Sequence, residues 1–154
     1  VFVISGALIL AVYRIRDTRE WAETVGLRSL VLLHAVRLAG LYFVVLHQCG
    51  ELPRLLAIPS GMGEIAVAVM ALPVAFAPLA PATRLRAMRI WSIVGFIDLV
   101  LLLFTVTRLT LNSPLLVLPL TQLPLSLYFT FLMPLLIVTH VIIFRRTTGP
   151  EHPV

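Results

Sequence analysis

The chain has 154 residues, of which 60% are hydrophobic and only 12% are charged, and its mean hydropathy is +1.04. A soluble domain has about 25% charged residues, so this composition excludes a water-soluble globular protein and predicts one membrane-embedded domain over 1–154. The net charge of +5 comes from twelve arginines and no lysine. These arginines fall in short clusters between apolar runs and not on one basic face, which argues against a nucleic-acid partner and makes the lipid bilayer the expected surroundings.

Five apolar segments predict five transmembrane helices, at 1–13, 29–49, 61–79, 90–107 and 125–144. Helices are expected because the bilayer interior has no water to satisfy backbone groups, and the alternating polarity of membrane β-strands is missing. The first segment is shorter than the roughly 20 residues that cross a bilayer, so we expect further residues upstream. Between the last two helices, 109–124 contains Pro114, Pro119 and Pro124, and the proline spacing predicts an extended or re-entrant segment at the interface.

Arginine positions predict the orientation of an all-α bundle with about five helices. If the helices alternate in direction, nine arginines fall on one side, Arg54 and Arg108 fall on the other, and Arg37 lies within a helix. The arginine-rich side is expected to be cytoplasmic, which puts the N-terminus outside and the C-terminus in the cytoplasm.

Two charges are expected inside the membrane at similar depth. Arg37 follows Arg28 by nine residues in the second predicted helix, and Asp98 follows Ile90 by eight in the fourth, so both lie about 12 to 13 Å along their helices. We therefore predict a buried Arg37/Asp98 ion pair, which serves either as structural glue or as part of a polar pathway. The predicted inward stripes are His34, Arg37, Leu41, Val44 and Gln48 on one helix, and Trp91, Gly95, Asp98, Leu102 and Thr105 on the other.

Glu64 is predicted at the beginning of the third helix, after a proline and two glycines. One interpretation is structural, with Ser60 as the N-cap and the positive helix end stabilising the carboxylate. The alternative is an outer-side polar group in which Glu64 joins His47, Glu51 and Arg54, forming a vestibule for a cation or polar solute.

Histidines on two helices raise a haem hypothesis. His34 and His140 each lie about 8 to 9 Å below the cytoplasmic surface, at matching depth, so they are candidate ligands of haem b. The alternative is that each histidine only hydrogen-bonds a neighbour. Cys49 is the single cysteine, which excludes an internal disulfide, and no Cys/His spacing predicts another metal site.

Several motifs resemble a group of small uncharacterised bacterial multipass membrane proteins. The resemblance rests on RLAG at 37–40, GELP at 50–53, LAIPSGMGEIAVAVMALPVA at 56–75, WSIVGFIDL at 91–99 and the proline-rich last helix that reaches His140. The third-helix motif of that group, LPxG-x-G[DE], is more usually ALPAG-x-GD, so Ser60 and Glu64 depart from it while the acidic charge is kept. The resemblance implies a bacterial inner membrane and marks Arg37, Glu64, Asp98 and His140 for testing, but it implies no activity.

Three functions are compatible with these patterns. The intramembrane charges favour a small transporter or channel-like protein. The small size and the lack of a catalytic motif favour an accessory subunit that packs against larger membrane partners or forms a homo-oligomer. The histidine pair would support a haem-binding electron-transfer subunit, and an intramembrane enzyme is least favoured because no nucleophile has a base placed beside it.

Overall fold

The computed structural model describes residues 2–148, which contain helices and no β-strand. Six helices follow in chain order: α1 Phe2–Arg14, α2 Arg16–Thr24, α3 Leu27–Gln48, α4 Arg54–Phe76, α5 Pro81–Asn112 and α6 Leu125–Thr148. Helices α3 to α6 are long and apolar enough to cross a membrane, whereas α1 contains only the shorter apolar stretch Val3–Val12. The prediction of an all-helical protein is confirmed for the described residues, and four of the five predicted spans correspond to helices of sufficient length and apolar composition. Val1 and 149–154 lie outside the described residues.

Two helices begin well before the predicted positions. Helix α4 begins at Arg54, not at 61, and it contains Pro59 inside its second turn, close enough to the end that few helical hydrogen bonds are affected. Helix α5 begins at Pro81, where a proline lacks only an N–H that would have no partner anyway. Both predicted starts were placed where the apolar run begins. The helices begin earlier because a helix can include the polar residues that precede such a run. Ser60 therefore lies inside α4, and its assignment as the N-cap is wrong.

The proline-rich connection is helical rather than extended. Helix α5 continues to Asn112, and Pro114–Thr121 form a 3-10 helix that contains Pro119. The ring of proline holds φ near −65°, which is a 3-10 value, so a short 3-10 helix accepts the residues that a continuous α-helix would reject. Val117 and Leu120 are buried in the hydrophobic core beside Leu125.

A 3-10 stretch also interrupts α3 and decides which of its faces is buried. Residues His34–Ala39 form the 3-10 helix between α-helical Leu27–Leu33 and Gly40–Gln48. Because this helix has three residues per turn, side chains three apart share a face. The buried positions consequently follow steps of three: His34, Arg37, Gly40, Phe43 and Leu46. The predicted stripe is wrong at Leu41, which is 55% exposed, and at Gln48, which is also exposed, whereas Val44 is half-buried against Gly61 of α4.

The four long helices pack side by side in a bundle, with α1 against α6. One apolar core surrounds Phe43, Leu99 and Met133, and a second surrounds Val31, Ala71 and Ile143 near the opposite end of the helices. The outer surface of the bundle is also apolar, with large exposed side chains that match a lipid environment: Leu101, Phe104, Phe131 and others along α4 to α6.

Candidate functional site

Arg37 is completely buried between the two apolar cores and binds groups on three other helices. Its Nε donates to Glu64 Oε2 at 2.7 Å, and its Nη2 donates to Glu64 Oε1 at 3.1 Å and to Asp98 Oδ2. Its Nη1 donates to the Gly95 carbonyl at 3.1 Å and to His140 Nε2 at 3.2 Å. A guanidinium has five N–H donors, so every donor of Arg37 has an acceptor.

The cluster lies at the middle of the long helices. Arg37 comes ten residues after Leu27 in the 22-residue α3, and Glu64 comes ten residues after Arg54 in the 23-residue α4. At 1.5 Å per residue both lie about 15 Å from the end at which their helix begins. Because α3 and α4 run in opposite directions, the two side chains meet at the level where a charge is most costly in a bilayer.

Hydrogen-bond direction assigns the ring proton of His140. A guanidinium only donates, so His140 Nε2 accepts from Arg37 and the proton lies on Nδ1. Nδ1 then donates to Ser92 Oγ, 3.2 Å away, and Ser92 Oγ donates to the His140 carbonyl at 3.1 Å. Both ring nitrogens of His140 are therefore used to hold its position against Arg37.

His34 extends the polar cluster by one residue. Thr139 Oγ1 donates to the Leu136 carbonyl at 2.9 Å and accepts from His34 Nε2 at 3.0 Å. The ring of His34 packs on that of His140, with centroids 4.1 Å apart, and meets Trp91 edge-on. Within residues 2–148 its Nδ1 is buried without a hydrogen-bond partner, which weakens the packing of this side chain.

Glycines create the space that the cluster occupies. A Cβ on Gly40 would lie 2.6 Å from Glu64 Cβ, and a Cβ on Gly95 would lie 2.6 Å from His140 Cε1. A Cβ on Gly63 would collide with Asp98 Oδ1. Each of these contacts is shorter than side chains tolerate, so three helices carry glycine where a charged or imidazole group lies against the backbone.

Asp98 is the one charged member of the cluster that reaches the surface of the bundle. Its side chain is 20% exposed, whereas those of Arg37 and Glu64 are 0% exposed. Oδ2 contacts Arg37, and within residues 2–148 no donor contacts Oδ1. Asp98 is therefore the charged member of the cluster that can be reached from outside the bundle.

Two further features border the site. Tyr128 is buried near Glu64 at the beginning of a π-helical turn, Tyr128–Leu132, in α6. An apolar groove of about 280 Å³ between α5 and α6 reaches Ser92 and His140. The π-helical turn Tyr128–Leu132 is an irregularity of a type that is frequent at functional sites.

The structure brings together Arg37, Glu64, Asp98, His34 and His140, and it separates the outer-side residues from them. The expectation of an Arg37/Asp98 pair was incomplete, because Glu64 makes two of the contacts to Arg37. The interpretation in which Glu64 joins the outer-side residues in a vestibule is wrong, because Glu64 is buried and bonded to Arg37. His47 Nδ1 contacts the Leu52 carbonyl at 3.0 Å, while Glu51 and Arg54 are exposed and form no ion pair within the described residues.

The histidine pair does not fit a haem. An iron bound by two histidines has the porphyrin plane between their rings, whereas the rings of His34 and His140 contact each other directly. Both nitrogens of His140 also have partners already. The two histidines lie at matching depth because the ring of His34 packs directly on the ring of His140.

The preference for small residues at membrane helix contacts already indicates Gly40 and Gly95 as points of close approach, whereas Gly61 and Gly63 were missed. Arg37 precedes Gly40 by three residues, Glu64 follows Gly61 by three, and Asp98 follows Gly95 by three. Residues three apart share a helix face, so each helix presents a charge beside a bare stretch of backbone. This repeated pairing was available in the sequence, whereas the roles of Ser92 and Thr139 had no such signal.

Comparison with known proteins places the chain in one family. A domain of unknown function, DUF8737, matches residues 1–148, and the chain therefore belongs to that family. No curated protein and no solved structure gives a match.

Proposed function

We propose that this DUF8737 protein is a transporter-like membrane protein in which the Arg37 cluster is the ion-responsive element. The observation that carries the proposal is the unequal charge of the cluster. One guanidinium faces two carboxylates, Glu64 and Asp98, at the middle of the helices. When both carboxylates are ionised the cluster has one unmatched negative charge, which a cation or proton would neutralise.

The location of that charge supports a role in coupling. Arg37 joins α3 to both α4 and α5, and its bond to His140 also reaches α6. A change in the charge of Asp98 would therefore alter a contact on which four helices depend. A ligand that binds one arrangement of the helices more tightly than another shifts the population between them, which is what ion coupling requires.

The proposal includes a topology and a location. With α1 as a fifth span, the N-terminus is outside, the C-terminus is cytoplasmic, and the protein lies in a bacterial inner membrane. The support is the distribution of arginines: clusters at the beginning of α3, at the beginning of α5 and at the end of α6 share one side under alternating crossings. Cysteine accessibility on the two sides of the membrane tests this arrangement.

Ion flux tests the function. Purified protein is reconstituted into liposomes that contain a pH-sensitive dye, a potassium–valinomycin potential is imposed, and proton entry is recorded. A parallel experiment records the uptake of radioactive sodium. We expect one of the two ions to enter faster than in protein-free liposomes and the flux to be lost in Asp98→Asn. Flux no greater than in protein-free liposomes for both ions would refute the proposal.

A matched variant separates coupling from damage. Glu51→Gln removes a carboxylate that is exposed and outside the cluster, so its flux should equal that of the unaltered protein. Thermal unfolding in detergent shows whether Asp98→Asn is folded; the asparagine keeps an oxygen that accepts from Arg37. A folded Asp98→Asn protein with full flux would remove the cluster from the mechanism.

An accessory subunit is the second candidate, and it has its own supporting observation. All five donors of Arg37 are bonded, which is also the property of a structural contact that fixes helix arrangement. In that case the apolar outer face of α5 would pack against a partner. Copurification of a defined membrane protein after cross-linking in native membranes, together with absent flux, is the expected result for this candidate.

A further inference from the structure

We propose that the ion of this cluster is a proton and that it is bound at Asp98 Oδ1. Gly63 is a positioning residue, because its missing Cβ leaves the space that this oxygen occupies. This inference rests on the proposed function and specifies the ion and the atom. It begins from a count of acceptors. Four carboxylate oxygens enter the cluster, and three of them, Glu64 Oε1, Glu64 Oε2 and Asp98 Oδ2, already accept from Arg37.

One free oxygen is sufficient for a proton and insufficient for a metal cation. Hard metal cations take about six oxygen ligands, or more, at once. A proton needs one oxygen, and Oδ1 faces no donor within the described residues. When both carboxylates are ionised the cluster has one negative charge; a proton from solution that reaches Oδ1 makes it neutral, and return of that proton to solution restores the charge, so no other reactant is involved.

The exposed edge of Asp98 supports protonation at this depth. Asp98 lies seventeen residues after Pro81 and fourteen before Asn112 in α5, which places it near the middle of a helix long enough to span a membrane. Its side chain is nevertheless 20% exposed. A carboxylate edge next to hydrocarbon is costly when ionised and tolerable when protonated. Glu64 has no exposed surface, and both of its oxygens accept from Arg37.

Gly63 gives the proposal a test that keeps every charge. A Cβ at this position would occupy the place of Asp98 Oδ1, while the next nearest atoms also belong to that carboxylate. The carboxylate is the end of a flexible side chain, so in Gly63→Ala it rotates away and the backbone stays. Asp98 then loses its contact with Arg37. Oδ2, the carbonyl oxygen of the protonated carboxyl group, then has no hydrogen bond from Arg37, and the C=O stretch of Asp98 moves to higher frequency.

The groups that face Asp98 come from three helices and enter the interpretation of any pH dependence. They are Arg37 from α3, Glu64 from α4 and Tyr128 from α6, while His140 of α6 contacts Arg37 on its other side. Arg37 presents only donors to the carboxylates, and His140 Nε2 accepts from Arg37. Asp98 Oδ1 is therefore the carboxylate oxygen of the cluster that is left for the proton.

Infrared difference spectroscopy of the reconstituted protein against pH measures that group without any transported substrate. We expect one band of a buried protonated carboxyl group, which disappears in Asp98→Asn and remains in the control Glu51→Gln. In Gly63→Ala the band persists at higher frequency, while Gly6→Ala, where the added Cβ meets nothing within 4 Å, leaves it unchanged. A band that survives in Asp98→Asn and is lost in Glu64→Gln would overturn the assignment, as would an unchanged band frequency in Gly63→Ala.

The two proposals fail in different ways. A titrating Asp98 band without proton or sodium flux would refute the transport function and retain the proton site. Sodium flux without a titrating band would refute the proton site and retain the transport function.

Discussion

Removing the charge of Arg37 should destabilise the protein more than removing the charge of Glu64. Arg37→Gln leaves two carboxylates at the middle of the bundle without a cation, and loss of one partner of a buried ion pair costs about 3–5 kcal/mol. Glu64→Gln leaves Arg37 opposite Asp98 in a neutral pair. It removes one of two charged hydrogen bonds, because the new amide presents an NH2 group to a guanidinium that can only donate, and this costs about 1.5–3 kcal/mol.

The combined variant makes the reasoning quantitative. Arg37→Gln together with Glu64→Gln leaves one carboxylate, Asp98, which is partly exposed, so the pair of changes should cost less than the sum of the single changes by about 1–3 kcal/mol. The free energy of unfolding is measured by SDS titration in mixed micelles. Arg54→Gln is the control, because Arg54 is exposed and its loss should change stability by no more than about 0.5 kcal/mol. Equal losses from the two single variants, or strict additivity in the double variant, would refute this account of the cluster.

Three other expectations concern packing. Gly40→Ala places a Cβ 2.7 Å from a carbonyl oxygen of α4 and should cost about 1–3 kcal/mol, whereas Gly6→Ala should cost nothing in the same unfolding assay; similar effects of the two would contradict the close approach of α3 and α4. Thr139→Val removes the partner of His34 Nε2 and should cost about 1–3 kcal/mol, and an unchanged unfolding midpoint would contradict the bond. Haem added to the purified protein should develop no spectrum of a histidine-ligated iron, because the rings of His34 and His140 are in contact; such a spectrum, lost in His140→Ala, would show that the rings separate.

Membrane character and the list of intramembrane charges follow from local properties of the sequence. Apolar runs of about twenty residues predict helices of spanning length whatever their neighbours are, and the arginines that interrupt them mark the ends. Arg37 and Asp98 could be matched in depth because helical rise is constant at 1.5 Å per residue. Helix ends were less predictable, since Pro59 resembled a helix start and is a residue inside α4.

The partners of each charge depended on tertiary structure. Depth along a helix is a one-dimensional quantity, and it could not distinguish Asp98 from Glu64 as the partner of Arg37 once the beginning of α4 was misplaced by seven residues. The buried face of α3 depends on the 3-10 stretch His34–Ala39, whose steps of three differ from the helical spacing used to predict the stripe.

The sequence by itself determined that the chain forms apolar helices of spanning length and that a few charges lie within them, because hydropathy and helical rise act locally. Only the tertiary structure decided that five donors of Arg37 meet acceptors on three other helices and that His34 and His140 touch. Those contacts depend on how closely helices approach and how each is rotated. Closeness is set by glycines whose missing side chains matter only when a neighbouring helix is present.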